Sequence, residues 1–288
     1  NENIEPVTGN ELVNIDDASG RVLAEDFVAV LSAPPFDRAA MDGYAVRARD
    51  TFEAGQRNPR VLNIVGEVHA GGTSRRKIKA GECIQIATGA MMPGGADAVV
   101  MVEDTEAENG RVKVFKSVYP KANVGKKGED IKKGDSVLKC GFVLDAGRVG
   151  VLASQGKRKV RVFEKPKVAI MPTGEEVVEG GKKLKLGQVY DINSHTIASI
   201  VKQNGGIPLR VGIAGDDAGK LESAITGALG CDLIVLSGGS SVGERDLLVD
   251  VLGKMGEILF HGIQVKPGKP TIFAMVQGKP LMGMPGYP

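Results

Sequence analysis

The segment Ala33-Pro34-Pro35-Phe36-Asp37-Arg38-Ala39-Ala40-Met41-Asp42-Gly43-Tyr44-Ala45-Val46 sets the acid Asp42 between Met41 and Gly43, among small and aromatic residues. It is too apolar for an ordinary exposed loop and too broken to read as a helix or a strand. Two prolines stiffen its start, and Gly43 is expected to supply a positive φ after Asp42. Such a loop can present one carboxylate from a rigid, half-buried backbone. On spacing alone, the reading of Asp42 as a turn residue weighs more.

A second group of residues points to phosphate. Ser237-Gly238-Gly239-Ser240-Ser241-Val242-Gly243 stands between an apolar run and a helical pattern. Glycine backbone at a helix start offers N–H groups to an anion, and serine hydroxyls add donors. A tight, serine-capped turn explains the same residues equally well. Glu175, Glu176, Asp216, Asp217 and Asp246 fall in neighbouring loops. Each alone reads as a cap or a surface charge. Beside a phosphate loop, two or three of them suit Mg²⁺, a hard cation that takes oxygen ligands. Lys266 and Lys269 flank Pro267-Gly268 and could present two ammonium groups to an oxyanion, or form an exposed basic turn. Gly239-Ser240-Ser241-Val242-Gly243 also fits G-x-S-x-G, with Ser241 as nucleophile. His261 is the sole histidine after it and lies in an apparent strand, which is poor geometry for a triad.

The elements that must position these residues fall into two rhythms. Up to about Lys165 the chain reads as mostly β, with short runs at Val61–Val68, Glu82–Thr88, Ala98–Val102 and Arg111–Val118. Gly20–Val28 and Asp145–Gln155 read as short helices. From Pro166 strands alternate with helices. The strands are expected at Lys167–Met171, Leu209–Ile213, Asp232–Leu236, Glu257–Phe260, Thr271–Met275 and Leu281–Met284. The helices are expected at Ser194–Asn204, Ala218–Leu229 and Asp246–Met255. That alternation predicts a doubly wound parallel sheet, with ligands outside the carboxyl ends of its strands. The fold class expected is therefore multidomain α+β and α/β.

Composition narrows the function. The 288 residues allow two or three domains; 42% are hydrophobic and 25% charged, as in ordinary globular proteins. A net charge of +2, no Trp and 4% aromatics argue against nucleic acid as the partner. No apolar run is long enough to span a bilayer, and no signal peptide is evident. The chain begins at Asn1 without Met, so an earlier start is expected. Three well-separated cysteines, Cys83, Cys140 and Cys231, suggest neither a disulfide framework nor a zinc site, so a cytoplasmic location is the expectation.

Eight motifs in order carry a resemblance. Pro35-Phe36-Asp37-Arg38-Ala39-Ala40-Met41-Asp42-Gly43-Tyr44-Ala45 is followed by Ile86-Ala87-Thr88-Gly89-Ala90 with Pro93 and Ala96-Asp97-Ala98-Val99-Val100. Gly128-Glu129-Asp130-Ile131, Thr173-Gly174-Glu175-Glu176 and Tyr190-Asp191-Ile192-Asn193-Ser194 come next. The series closes with Ser237-Gly238-Gly239 through Asp246, Lys266-Pro267-Gly268-Lys269-Pro270 and Gly283-Met284-Pro285-Gly286. Over essentially its whole length the chain resembles the molybdopterin molybdenumtransferases, the MoeA and gephyrin E-domain family. The resemblance implies insertion of molybdate or tungstate into adenylated molybdopterin, with Mg²⁺-dependent release of AMP. It also implies a homodimer whose site is shared between subunits, and an adenylyltransferase that supplies the substrate.

The resemblance further implies a domain plan. A discontinuous domain takes residues 1–35 and 131–165, an inserted β-rich domain 36–130, and a molybdopterin-binding α/β domain 166–288. The C-terminal β domain of the family is expected to be absent. Carried over by position, Asp42, Thr88 and Asp130 line one side of the site. Glu176, Asp216 and Asp246 bind Mg²⁺ or position the attacking water. Gly238, Gly239, Ser241 and Gly243 hold the pterin phosphate, Pro285 also binds substrate, and Lys266 and Lys269 guide oxyanions. His261 stands where family members carry lysine, and Tyr287 where they carry asparagine in G-N-P. Two other roles stand as alternatives: an adenylyltransferase consuming ATP, whose α/β domain resembles only the second half of this chain, and a non-catalytic pterin-binding scaffold.

Overall fold

A computed structural model describes residues 4–215, 217–238, 247–266 and 268–286. The chain forms two compact units. One comprises Glu25–Phe142 and Ala146–Arg158; the other comprises Asn1–Ala24, Val143–Asp145 and Lys159–Pro288.

The first unit is built on a six-stranded sheet of β1 (Gly43–Val46), β2 (Arg60–Val68), β3 (Glu82–Ile86), β4 (Ala98–Met101), β5 (Thr105–Glu108) and β6 (Arg111–Val114). The strand order is β4-β1-β3-β2-β6-β5, antiparallel except between β2 and β3. Side chains alternate between two covered faces, as the two-residue strand period requires. Tyr44, Val46, Leu62, Cys83, Val100, Val112 and Val114 pack on one face; Ala45, Val68, Ile84, Ile86 and Val99 pack on the other. Helix α1 (Ala146–Ser154) belongs to the same unit.

Three expectations fail. Gly43–Val46 is a fully buried central strand rather than part of a loop. Gly43 is absent from the positive-φ glycines; what excludes a side chain there is Val100 O, 1.9 Å from where a Cβ would stand. Nor is Gly20–Val28 a helix: only Phe27–Val28 is regular, as a short strand pairing with Ser136–Leu138. Its neighbours' backbone groups are already committed to distant segments. Gly20 N–H donates to Leu144 O, Ala24 N–H to Arg161 O, and Val22 O accepts from Phe163 N–H. Non-local pairing of this kind overrides a local helical pattern.

The second unit holds a six-stranded sheet of β7 (Lys167–Pro172), β8 (Ile207–Arg210), β9 (Leu233–Ser237), β10 (Gly256–His261), β11 (Ile272–Val276) and β12 (Lys279–Met284). In the order β8-β7-β9-β12-β11-β10, the first four strands run parallel, and β11 alone runs against its neighbours β12 and β10. The sheet is thus mixed, not purely parallel. The cause is local: only Gln277 (φ 49°) and Gly278 (φ 77°) separate β11 from β12. A two-residue loop with both φ positive makes a tight hairpin, whose strands must run antiparallel.

Helices cover both faces. Ile197, Ala198 and Val201 of α2 (Asn193–Gln203) pack against Val168, Ile170 and Val235. On the other face, Leu221 and Ile225 of α3 (Ala218–Ala228) join Leu248, Val251 and Leu252 of α4 (Leu247–Met255) over Ile234, Leu236, Ile272 and Leu281. Among the described residues no helix is long and apolar enough to cross a membrane.

Candidate functional site

In the first unit, Asp42 is the exposed residue just before β1, while β1 itself is locked between β3 and β4. Asp42 Oδ1 accepts from the Thr88 N–H at 2.7 Å and from the Thr88 hydroxyl at 3.0 Å. Thr88 is held in turn. Gly89, at φ 81°, donates its N–H to Ala39 O, and Ala39 N–H donates to Ala90 O. Donation by the Thr88 backbone, then by its hydroxyl, holds the Asp42 carboxyl below the usual carboxylate range. The result is a charged acceptor with one oxygen oriented by the fold.

Asp130, also exposed, stands on a loop tied to the front of the same segment. Its N–H donates to Ala33 O, Gly128 N–H to Pro34 O, and Lys127 N–H to Asp37 Oδ1. The first unit therefore brings Asp42 and Thr88 into direct contact and places Asp130 on an adjoining loop.

A shallow hollow of about 220 Å³ opens beside Asp42, lined also by Tyr44, Glu67, His69 and Gln85. His69 Nε2 lies 3.2 Å from a Glu67 oxygen, and Glu67 pairs opposite Gln85 across β2 and β3. Sequence reasoning missed Glu67, His69 and Gln85. Their signal was polar residues interrupting apolar strands, as Gln85 does between Ile84 and Ile86.

In the second unit, three strand ends converge at the carboxyl edge of the parallel strands. Gly238, at φ 104°, follows β9; a Cβ there would stand 2.5 Å from Thr173 O at the end of β7. Gly286, past β12, is packed so closely that its Cβ would lie 3.1 Å from Gly238 Cα. Gly238 N–H donates to Met284 O. Only residues without side chains allow this approach. Pro285 is half-buried in the same strand end.

Glu176 is exposed, and its carboxylate turns back over Gly174, 2.6 Å from where a Cβ would be. Lys266 and Lys269 are exposed on the loop after β10, where Ile263 N–H donates to Lys269 O. Asp217 caps α3, its Oδ1 accepting from Lys220 N–H at 3.0 Å. Asp216, Gly239, Ser241, Gly243, Asp246 and Tyr287 lie outside the described residues. Among the described residues no group of three or more His, Cys, Asp and Glu gathers as for a metal ion. Of the three expected Mg²⁺ ligands only Glu176 is described; its carboxylate is the hard oxygen donor that Mg²⁺ takes.

The sheet with helices on both faces and strand ends meeting at its carboxyl edge defines a doubly wound α/β domain, joined in this chain to a β-rich unit. Residues 1–156 match the family model of the MoeA N-terminal region (domain I and II), and residues 169–288 match that of a probable molybdopterin binding domain. A putative molybdopterin biosynthesis protein of Methanocaldococcus jannaschii is 38% identical over 96% of this chain and 69% of its own length. The molybdopterin molybdenumtransferase of Haemophilus influenzae is 37% identical over 98% of this chain and 69% of its own. The chain thus spans about two thirds of the length of these relatives. Two solved structures of molybdopterin biosynthesis MoeA proteins from Pyrococcus horikoshii cover all of this chain. One shows TM-score 0.84, 44% identity and 72% of its own chain covered; the other shows 0.87, 36% and 71%. The chain belongs to the MoeA family of molybdopterin molybdenumtransferases.

Proposed function

We propose that this chain acts in molybdenum cofactor biosynthesis as a transferase that inserts molybdate or tungstate into adenylated molybdopterin and releases AMP. The observation that carries the reading is the fixed Asp42–Thr88 pair, which joins two of the motifs that carry the resemblance. In this reading, water adds to the phosphoanhydride, one P–O bond forms as another breaks, and AMP departs. Mg²⁺, when bound, neutralises phosphate charge.

The chain's own residues supply the rest. Gly238, with Gly239, Ser241 and Gly243, cradles the pterin phosphate, and Pro285 contacts the substrate beside it. Glu176, with Asp216 and Asp246, would hold the cation or position the attacking water. Lys266 and Lys269 attract oxyanions. Asp42, Thr88 and Asp130 complete the site. The reading includes the three-domain division given above, a homodimer with a site shared between subunits, and an adenylyltransferase as supplier. It also includes a cytoplasmic location, which the three free thiols support.

The test is AMP release from adenylated molybdopterin with Mg²⁺, with and without molybdate or tungstate. Oxyanion-dependent release supports the reading. ATP-dependent pyrophosphate production would replace it with adenylyl transfer, and tight pterin binding without turnover would replace it with a scaffold. Mixing Asp42→Ala and Glu176→Ala copies tests the shared site: recovered turnover supports it, and an inactive mixture counts against it.

A further inference from the structure

Asn193, the first residue of α2, ties together two loops that it does not belong to. Its Nδ2 donates to Ser237 Oγ at 2.6 Å and to Gly286 O at 2.9 Å. A side-chain amide nitrogen has two hydrogens, so both donors are used. Ser237 is 2% exposed and is the last residue of β9, immediately before Gly238. Gly286 packs on Gly238, and Gly238 packs on Thr173. Asn193 therefore sits where the ends of β7, β9 and β12 meet.

Asn193 is also held from behind. Asp191 accepts from the Ser194 N–H at 2.9 Å and from the Ser194 hydroxyl, which fixes the first turn of α2. Ile197, Ala198 and Val201 anchor that helix to the sheet. A fixed amide reaching two loop starts sets the distance between them. Backbone N–H groups can cradle a phosphate only when their spacing is held.

We propose that Asn193 is a positioning residue that sets the gap between the Ser237-Gly238 loop start and Pro285-Gly286, and so the affinity for the substrate's phosphate. This rests on the reading given under Proposed function. It predicts a loss of binding shared by ground and transition states, which raises KM and spares kcat. Asn193→Ala should raise KM for AMP release about tenfold, with kcat within about twofold. Asn193→Asp should do the same, because a carboxylate cannot donate to the Gly286 carbonyl.

Ser237→Ala removes only the acceptor. The double variant Asn193→Ala/Ser237→Ala should match Asn193→Ala alone, because Ser237 acts through the amide. An unchanged KM in Asn193→Ala, or additive losses in the double variant, would overturn the proposal.

Amide exchange reads the same clamp without turnover. The Gly238 N–H should exchange about tenfold faster in Asn193→Ala than in the unaltered chain. Unchanged exchange would overturn the clamp. Should the unaltered chain release no AMP, the functional reading fails, while the exchange measurement still decides the clamp. Should Asn193→Ala fail to fold, Ser237→Ala carries both measurements.

Discussion

At the residue scale, the firmest chemistry is the carboxylate of Asp42. Donation from Thr88 outweighs the desolvation that would favour the neutral acid, and so lowers the pKa. Thr88→Ala removes the hydroxyl and leaves the backbone N–H, the larger cause. The Asp42 pKa should therefore rise and still stay below the ordinary 3.8. Carbon-13 titration of the side chain checks this; an unmoved pKa would remove the hydroxyl from the pair. The linkage has a definite sign. The lowered folded pKa stabilises the fold above the unfolded pKa, and that contribution disappears as pH falls through the folded value. The motif around Asp42 was legible in the sequence. Its partner was legible only through the family resemblance, because 46 positions separate Asp42 from Thr88. Glu67, His69 and Gln85 belong to no motif, and only strand pairing brings them beside Asp42.

At the element scale, glycines decide what the strands can do. β1 is buried on all four residues and lies against Val100 O with no room for a Cβ at Gly43. Gly43→Ala should cost about 3 kcal/mol, at the upper end for overpacking, because the obstacle is backbone and cannot turn aside. Urea denaturation measures the loss, and a near-neutral result would mean that β1 and β4 can separate. The helix expected at Gly20–Val28 failed for a related reason. Its backbone groups bond to residues far along the chain, which no local pattern reveals. The helices at α2, α3 and α4 were legible because their apolar residues recur on one face and pack on the sheet. The antiparallel end of the second sheet was missed because Gln277-Gly278 lacks the Asn-Gly or Asp-Gly composition that marks most type I′ turns.

At the scale of the whole molecule, each unit has its own core and its own buried thiol. Cys83 lies in the core of the first, where burial pushes its thiol up to about 12; Cys231 lies in the core of the second. Cys140 is exposed. A thiol-specific reagent at neutral pH should modify Cys140 quickly, and Cys83 and Cys231 only as their units open. Rising urea then reads the two units separately, by mass spectrometry of the labelled peptides. Simultaneous labelling of both buried thiols would show that the units unfold as one.

Taken alone, the sequence determined the family, the β-rich and α/β halves, and the loops to which the chemistry is here assigned by proposal. Each of those is written in contiguous residues: a motif, a period of two or 3.6, a glycine at a strand end. Tertiary structure alone decided that Gly43 serves close packing rather than a turn, and that Asp217 caps a helix. It alone decided that Asn193 reaches Ser237 and Gly286. Those facts depend on atoms of distant residues meeting within a few ångströms, and such distances are set by the packing of both faces of each sheet.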